Sequence, residues 1–164
     1  NGPWNHLLKE RNIKLIKLSK NNTINISANL KIKPFLVPHR EDYSETVGFE
    51  IATSKKKLIY IPDIDNWEKW DISITELIKN IDFALVDGTF FSEREIERDI
   101  SLIPHPLVKD SLKLFSNLKA KERNKIIFTH FNHTNPLIDE SSKEHEEVLS
   151  KGFRIAKEGD NFYL

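Results

Sequence analysis

The 164 residues predict a mixed α/β (α+β) fold, a sheet covered by helices on one face. Three observations carry this expectation. The first third reads as one strand-like run after another, separated by polar turns. Beyond Tyr60, short apolar runs alternate with segments of helical spacing. No internal repeat or low-complexity stretch interrupts the pattern, so residues 1–164 read as one domain.

In chain order, residues 3 to about 11 predict a short helix. Pro3 suits a first helical position, and Trp4, Leu7 and Leu8 fall on one face. Strands are expected at residues 13–18, 23–26 and 30–37, with Asn21 and Asn22 as a hairpin-type turn. Residues 47–51 and 57–61 read as a further strand pair. The stretch Thr53-Ser54-Lys55-Lys56 joins them, its like charges kept in water. Residues 74–80 read as a helix and residues 83–86 as a buried strand. Residues 93–98 and 106–118 read as helical, with Leu107, Leu114 and Phe115 on helical spacing in the second. A buried strand at 125–129, a helix at 142–150 and a closing strand at 153–156 complete the order.

Composition narrows the function classes. Lys and Arg number 25 against 25 Asp and Glu, a balance that argues against a nucleic-acid binder working by bulk positive field. No apolar run approaches the roughly 20 residues a membrane span needs, and no signal segment opens the chain. The expected location is the cytoplasm, with the periplasm left open. With no cysteine there is no disulfide framework, thiolate nucleophile or Cys-ligated zinc, so a metal would have to be held by His and carboxylate. The chain starts at Asn1 and contains no Met, which leads to the expectation that it is a piece of a longer protein.

Four apolar strands each deliver a histidine or aspartate at the carboxyl end. His39 comes after Phe35-Leu36-Val37-Pro38, Asp63 after residues 58–62, Asp87 after Ala84-Leu85-Val86, and His130 after Ile126-Ile127-Phe128-Thr129. In a sheet with helical crossovers such ends gather along one edge, where ligands bind. His nitrogen and Asp oxygen suit a divalent metal in the absence of thiolate. Each residue also has a purely structural reading. Asp63 could cap a helix, Asp87-Gly88-Thr89 reads as a turn, and His133 reads as a loop residue. His6 and His145 are expected on polar, solvated helix faces.

His39 with Val47-Gly48-Phe49-Glu50-Ile51, Tyr60-Ile61-Pro62-Asp63, Asp87-Gly88-Thr89-Phe90 and Thr129-His130-Phe131-Asn132 resemble, in order, the later motifs of the metallo-β-lactamase superfamily. Within it the chain looks most similar to coenzyme PQQ synthesis protein B and its relatives, notably at Asp87-Gly88-Thr89-Phe90 and at Asn132-His133-Thr134-Asn135-Pro136. The resemblance covers nearly the whole chain and corresponds to the carboxyl-terminal portion of that family's domain. It implies a sandwich of two mixed sheets flanked by helices, with metal at one edge. The family's His-x-His-x-Asp-His motif is absent from these residues, so the chain is expected to hold part of a site.

Residue by residue, the resemblance implies that His39, Asp63 and His130 are metal ligands, Asp63 as the carboxylate that bridges two metals. His105 is implied as the catalytic histidine that steadies charge or donates a proton, as in ribonuclease Z relatives, and Asp87 as a supporting residue. The expected function is a metal-dependent hydrolase using metal-activated water, with Asp63 and His105 in catalytic roles. The cofactor is a divalent metal, zinc first, with iron or manganese also suited. The expected partner is a small-molecule or phosphodiester substrate, and a homodimer is compatible with the sequence. The alternatives are PQQ-type cofactor biosynthesis (oxidation or carriage of a precursor) and a non-catalytic binding relative. For the last, Trp67 and Trp70 would form an exposed patch unless they pack on the sheet.

Overall fold

A computed structural model describes residues 4–19, 22–40, 45–95 and 103–164. Pro3, Asn21 and residues 96–98 of the expected helix lie outside the described residues. Seven strands form one mixed sheet in sequential order: β1 (Ile24–Asn25), β2 (Lys31–Leu36), β3 (Val47–Ala52), β4 (Lys57–Ile61), β5 (Phe83–Asp87), β6 (Ile126–Thr129) and β7 (Arg154–Ile155). The first four are antiparallel neighbours and the last four pair in parallel. This is the change from meander to alternating β and α expected after Tyr60. It supplies one mixed sheet of the kind a two-sheet sandwich requires.

The parallel half needs crossovers. These carry α2 (Ile74–Lys79), α3 (Val108–Phe115), α4 (Ala120–Arg123) and α5 (Lys143–Ser150), while α1 (Asn5–Lys9) precedes the sheet. Ser73 and Ser142 accept hydrogen bonds from the Glu76 and His145 amides, starting α2 and α5 as N-caps do. Ile59 and Ile61, Ala84 and Val86, and Ile126 and Phe128 are two apart, which puts each pair on one face of its strand. All six join Ile74, Ile78, Val108, Leu112, Phe115 and Val148 of the helices in one buried cluster. Among the described residues, no helix is long and apolar enough to cross a membrane.

The amino-terminal region departs from expectation. Residues 13–19 form no strand, and Leu15 and Ile16 are 65% and 72% exposed. Among the described residues of this region, only Ile24 and Asn25 pair with β2 on that side. The Ile26 amide donates to the Leu30 carbonyl, so even-numbered residues of β2 turn their backbone towards β1. Pro34, next but one after Ile32, offers no N–H there, which limits how far a neighbour can pair. In α1, Trp4, Leu7 and Leu8 find no core, and the helix buries none of its residues. The expected helix at 93–98 is, in its described part, a single 3-10 turn at Glu93–Glu95. Leu114 is exposed while Leu107 and Phe115 are buried, because it sits on the solvent side of α3.

Glu95 carries a pH-dependent consequence. Its Oε1 accepts from the Phe91 and Ser92 amides, both at 2.7 Å, while Oε2 is buried without a partner among the described residues. Burial pushes this carboxyl above its ordinary value, against the lowering pull of the two amides. The fold therefore favours the protonated form. Stability is expected to fall as pH rises from the ordinary carboxylate range through the raised value, and Glu95→Gln should flatten that slope in chemical denaturation across the same range.

Candidate metal centre

Because β3 runs against both β2 and β4, the strands β2, β4, β5 and β6 all point the same way. Their carboxyl ends therefore share one edge. His39 lies three residues beyond Leu36, Asp63 two beyond Ile61, Asp87 ends β5 and His130 comes directly after Thr129. His105 arrives from the segment leading into α3. The Asp65 amide donates to the Pro38 carbonyl at 2.7 Å, tying the His39 and Asp63 loops together.

Asp87 organises the edge. Its carboxylate is fully buried and takes four donors. Oδ2 accepts from the Ile64 amide at 3.1 Å and lies 2.7 Å from His105 Nδ1. Oδ1 accepts from the Thr89 amide at 2.9 Å and the Thr89 hydroxyl at 2.7 Å. A carboxylate only accepts, so His105 Nδ1 carries the hydrogen and Nε2 the lone pair. With its lone pairs spent on protein donors, Asp87 acts here as a support for other groups.

Asp63 is the opposite case. Its Oδ1 has no hydrogen-bond partner among the described residues yet lies 3.7 Å from His130 Nδ1, 3.9 Å from His39 Nε2 and 4.0 Å from His105 Nδ1. These gaps exceed a hydrogen bond, about 3.2 Å at most. The gap to His39 Nε2 falls inside the span of about 4.2 Å available to two atoms each bound about 2.1 Å from one zinc. The two Nδ1 atoms, which hydrogen-bond Asp87 and Thr89, place the His105 and His130 rings beside the same oxygen. His39 Nδ1 is buried with no partner among the described residues. Donor atoms of His39, Asp63 and His105, and of Asp87, His105 and His130, converge within 4.8 Å in each set. Imidazole plus carboxylate fits zinc, iron or manganese. The histidine rings also lie against one another, with His39 and His105 centroids 5.3 Å apart and those of His105 and His130 6.0 Å apart.

His130 has φ of +61°, a left-handed backbone that a non-glycine residue adopts at some energetic cost. The turn after β6 thus bends the chain sharply where the ring is needed. His130→Gly is expected to be more stable than His130→Ala by roughly 1 kcal/mol in thermal or urea unfolding, with neither variant able to use this side chain as a ligand.

Two further side chains support the edge. Thr89, nearly buried, touches both Asp87 and the histidines. Buried Asn135 donates to the Gly88 and Thr89 carbonyls at 2.7 and 3.2 Å while its Oδ1 accepts from the Leu137 amide. Asn135 belongs to the Asn132–Pro136 motif, so its position was visible although its partners were not. At Gly88, a Cβ would meet Phe131 Cε1 at 2.9 Å, the Thr129 carbonyl oxygen at 3.0 Å and Phe128 Cβ at 3.1 Å. Gly88→Ala is therefore expected to push β5 and β6 apart and lower stability by about 1–3 kcal/mol in urea unfolding.

One of the structural expectations is overturned. His145 is buried, not solvated: its Nδ1 lies 2.8 Å from the Leu137 carbonyl, because the Ser142 cap turns the first turn of α5 back onto the 3-10 turn at Pro136–Ile138. His6 and His133 are exposed. Trp67 and Trp70 form no exposed patch. Trp67 is buried and donates to Ser111 Oγ, while Trp70 donates to the Leu36 carbonyl and stacks on Phe35. Beside them, a groove of about 710 Å³ has His105 in its wall. Its charged lining is Asp65, Glu68 and Asp110 against Lys69 and Lys113. Lys69 pairs with Asp65 and Lys113 with Asp110, which leaves Glu68 in excess among the described residues.

Residues 1–131 match the family model of the β-lactamase superfamily domain. Among curated relatives, coenzyme PQQ synthesis protein B of Nitrosococcus oceani is 29% identical over 140 aligned positions, covering 77% of this chain and 43% of the relative. The protein of the same name from Pseudomonas putida is 27% identical over 167 positions, covering 91% and 54%. The chain thus spans about half the length of the curated relatives it matches. In structure it is similar to a Zn2+-bound PqqB from Methylobacterium extorquens, with TM-score 0.72, 24% identity, and coverage of 90% of this chain and 51% of that one. It is also similar to an isothiocyanate hydrolase from Delia radicum gut bacteria, with TM-score 0.61, 13% identity, and coverage of 98% and 63%.

Proposed function

The chain belongs to the metallo-β-lactamase superfamily, and from that membership we propose that His39, Asp63 and His130 hold a divalent metal, zinc first, in a hydrolytic centre with His105 beside it. The observation that carries the reading is Asp63 Oδ1, which has no hydrogen-bond partner among the described residues, lies 3.9 Å from His39 Nε2 and is flanked by the rings of His105 and His130. A divalent ion at such a site lowers the pKa of bound water towards ~7 and polarises the oxygen under attack.

The chain's own residues do the rest. Asp87 holds the His105 Nδ1 hydrogen at 2.7 Å, so Nε2 is the nitrogen that takes up a proton and later returns it to a leaving group. The buried carboxylate stabilises the imidazolium formed in between. Among the described residues the groove beside His105 carries one carboxylate in excess, which disfavours a polyanion. Of the two substrate classes the sequence suggested, a phosphodiester or another ester-type molecule, a neutral or cationic small ester fits that lining better. We read residues 1–164 as a single domain that forms the carboxyl-terminal portion of a metallo-β-lactamase-like domain, cytoplasmic in location.

A second reading is favoured by the relatives' name: a role in PQQ-type cofactor synthesis with iron at the same ligands. Histidine and carboxylate with open positions suit non-haem Fe(II). The test is ester hydrolysis by the zinc-loaded chain under nitrogen. The hydrolytic reading predicts zinc-dependent turnover that falls about 10²–10⁴-fold in His105→Ala. Iron-dependent oxygen uptake without anaerobic hydrolysis would replace it with the second.

A further inference from the structure

We infer that the Thr89 hydroxyl is a positioning group that passes the fixed orientation of Asp87 on to His130. Thr89 Oγ1 lies 2.7 Å from Asp87 Oδ1, 3.1 Å from His130 Nδ1 and 3.2 Å from His105 Nδ1. The direction of each bond is set by elimination. Two backbone amides, of Ile64 and Thr89, can only donate, and both point at the Asp87 carboxylate. The carboxylate only accepts, so the single hydroxyl hydrogen of Thr89 is spent on Oδ1. The remaining lone pairs of Oγ1 can then only accept. His105 Nδ1 has already given its hydrogen to Oδ2 in the shorter, charge-assisted contact. The donor left for Thr89 is His130 Nδ1.

His130 is therefore held with its hydrogen on Nδ1 and its lone pair on Nε2, the tautomer also imposed on His105. One buried carboxylate sets both rings, His105 directly and His130 through a hydroxyl. The relay matters more for His130. Its side chain is 43% exposed against 14% for His105, so packing constrains it less. The left-handed backbone fixes where the ring starts, and Thr89 fixes how it turns. The Asn135 clamp on the Gly88 and Thr89 carbonyls holds the hydroxyl in place. Thr89 touches neither substrate nor metal on this account and acts only through the histidine.

The test uses the full chain, 15N-labelled, with long-range proton–nitrogen correlation of the imidazoles above their titration. The expected wild-type pattern is Nδ1–H for both His105 and His130. Thr89→Val, nearly the same shape, should leave His105 unchanged and give His130 a mixture of tautomers, whereas Thr89→Ser should restore the wild-type pattern. Zinc alone is the second probe. Thr89→Val should weaken its binding about 10–100-fold, the usual effect of losing an outer hydrogen-bond partner, and Thr89→Ser should not. A wild-type His130 with its hydrogen on Nε2 would overturn the inference even if the valine variant failed to fold. So would a folded Thr89→Val with wild-type tautomer and zinc affinity. The zinc arm rests on the proposed metal centre and the tautomer arm does not. A wild type that binds no zinc but keeps the Nδ1–H pattern would sink the centre and leave Thr89's role standing.

Discussion

Asp87→Ala is expected to destabilise the chain by about 3–5 kcal/mol, as when one partner of a buried charged network is removed. Truncation strands the Ile64 amide, the Thr89 amide, the Thr89 hydroxyl and the His105 Nδ1 hydrogen around a position with no solvent access. Each buried orphan carries a penalty of about 1–3 kcal/mol, softened where neighbours relax or water enters. Asp87→Asn keeps the shape but turns an NH2 group on two of those donors, so an intermediate loss is expected. Urea denaturation of metal-free protein measures both. A loss below about 1 kcal/mol for Asp87→Ala, the level of an ordinary substitution, would mean that the network is not what holds the edge together.

Asp63→Ala should do the reverse. Its carboxylate has no hydrogen bond among the described residues and is 35% exposed, so truncation should change metal-free stability by no more than about 0.5 kcal/mol. Its effect should appear only with metal present. Wild-type protein at a zinc concentration 100 times Kd should gain about 2.7 kcal/mol of unfolding free energy, and Asp63→Ala should gain essentially none. Asp63 thus separates binding from folding where Asp87 joins them. Equal stabilisation of both proteins by zinc would move the metal away from Asp63.

The parallel half of the sheet was legible because its strands are buried and short. Runs such as Ala84-Leu85-Val86 and Ile126-Ile127-Phe128 have no solvated alternative, and a polar residue straight after each marks the edge where chains turn. The same logic gathered His39, Asp63, Asp87 and His130 before any coordinates. It failed at Ile13, Leu15, Ile16 and Leu18, where apolar content without a pairing partner makes no strand. It also failed at His145, whose burial depends on where the Ser142 cap aims α5. Thr89 and Asn135 sit in the Asp87–Phe90 and Asn132–Pro136 motifs, but no sequence signal tells which atoms they bond. A threonine in a turn and an asparagine before a proline are ordinary until their hydrogen bonds are counted. Charge in the groove was equally hidden, since Asp65, Glu68 and Asp110 come together only once α3 packs beside the Trp67 turn.

The most direct measurement is equilibrium zinc binding by the intact chain, with stoichiometry, for wild type, Asp63→Ala and His130→Ala. The account predicts at least one zinc per wild-type chain. In each folded variant it predicts a loss of affinity beyond the ~10–100-fold that outer partners confer. A wild type that takes up no zinc, or variants that bind it as tightly as wild type, would contradict it.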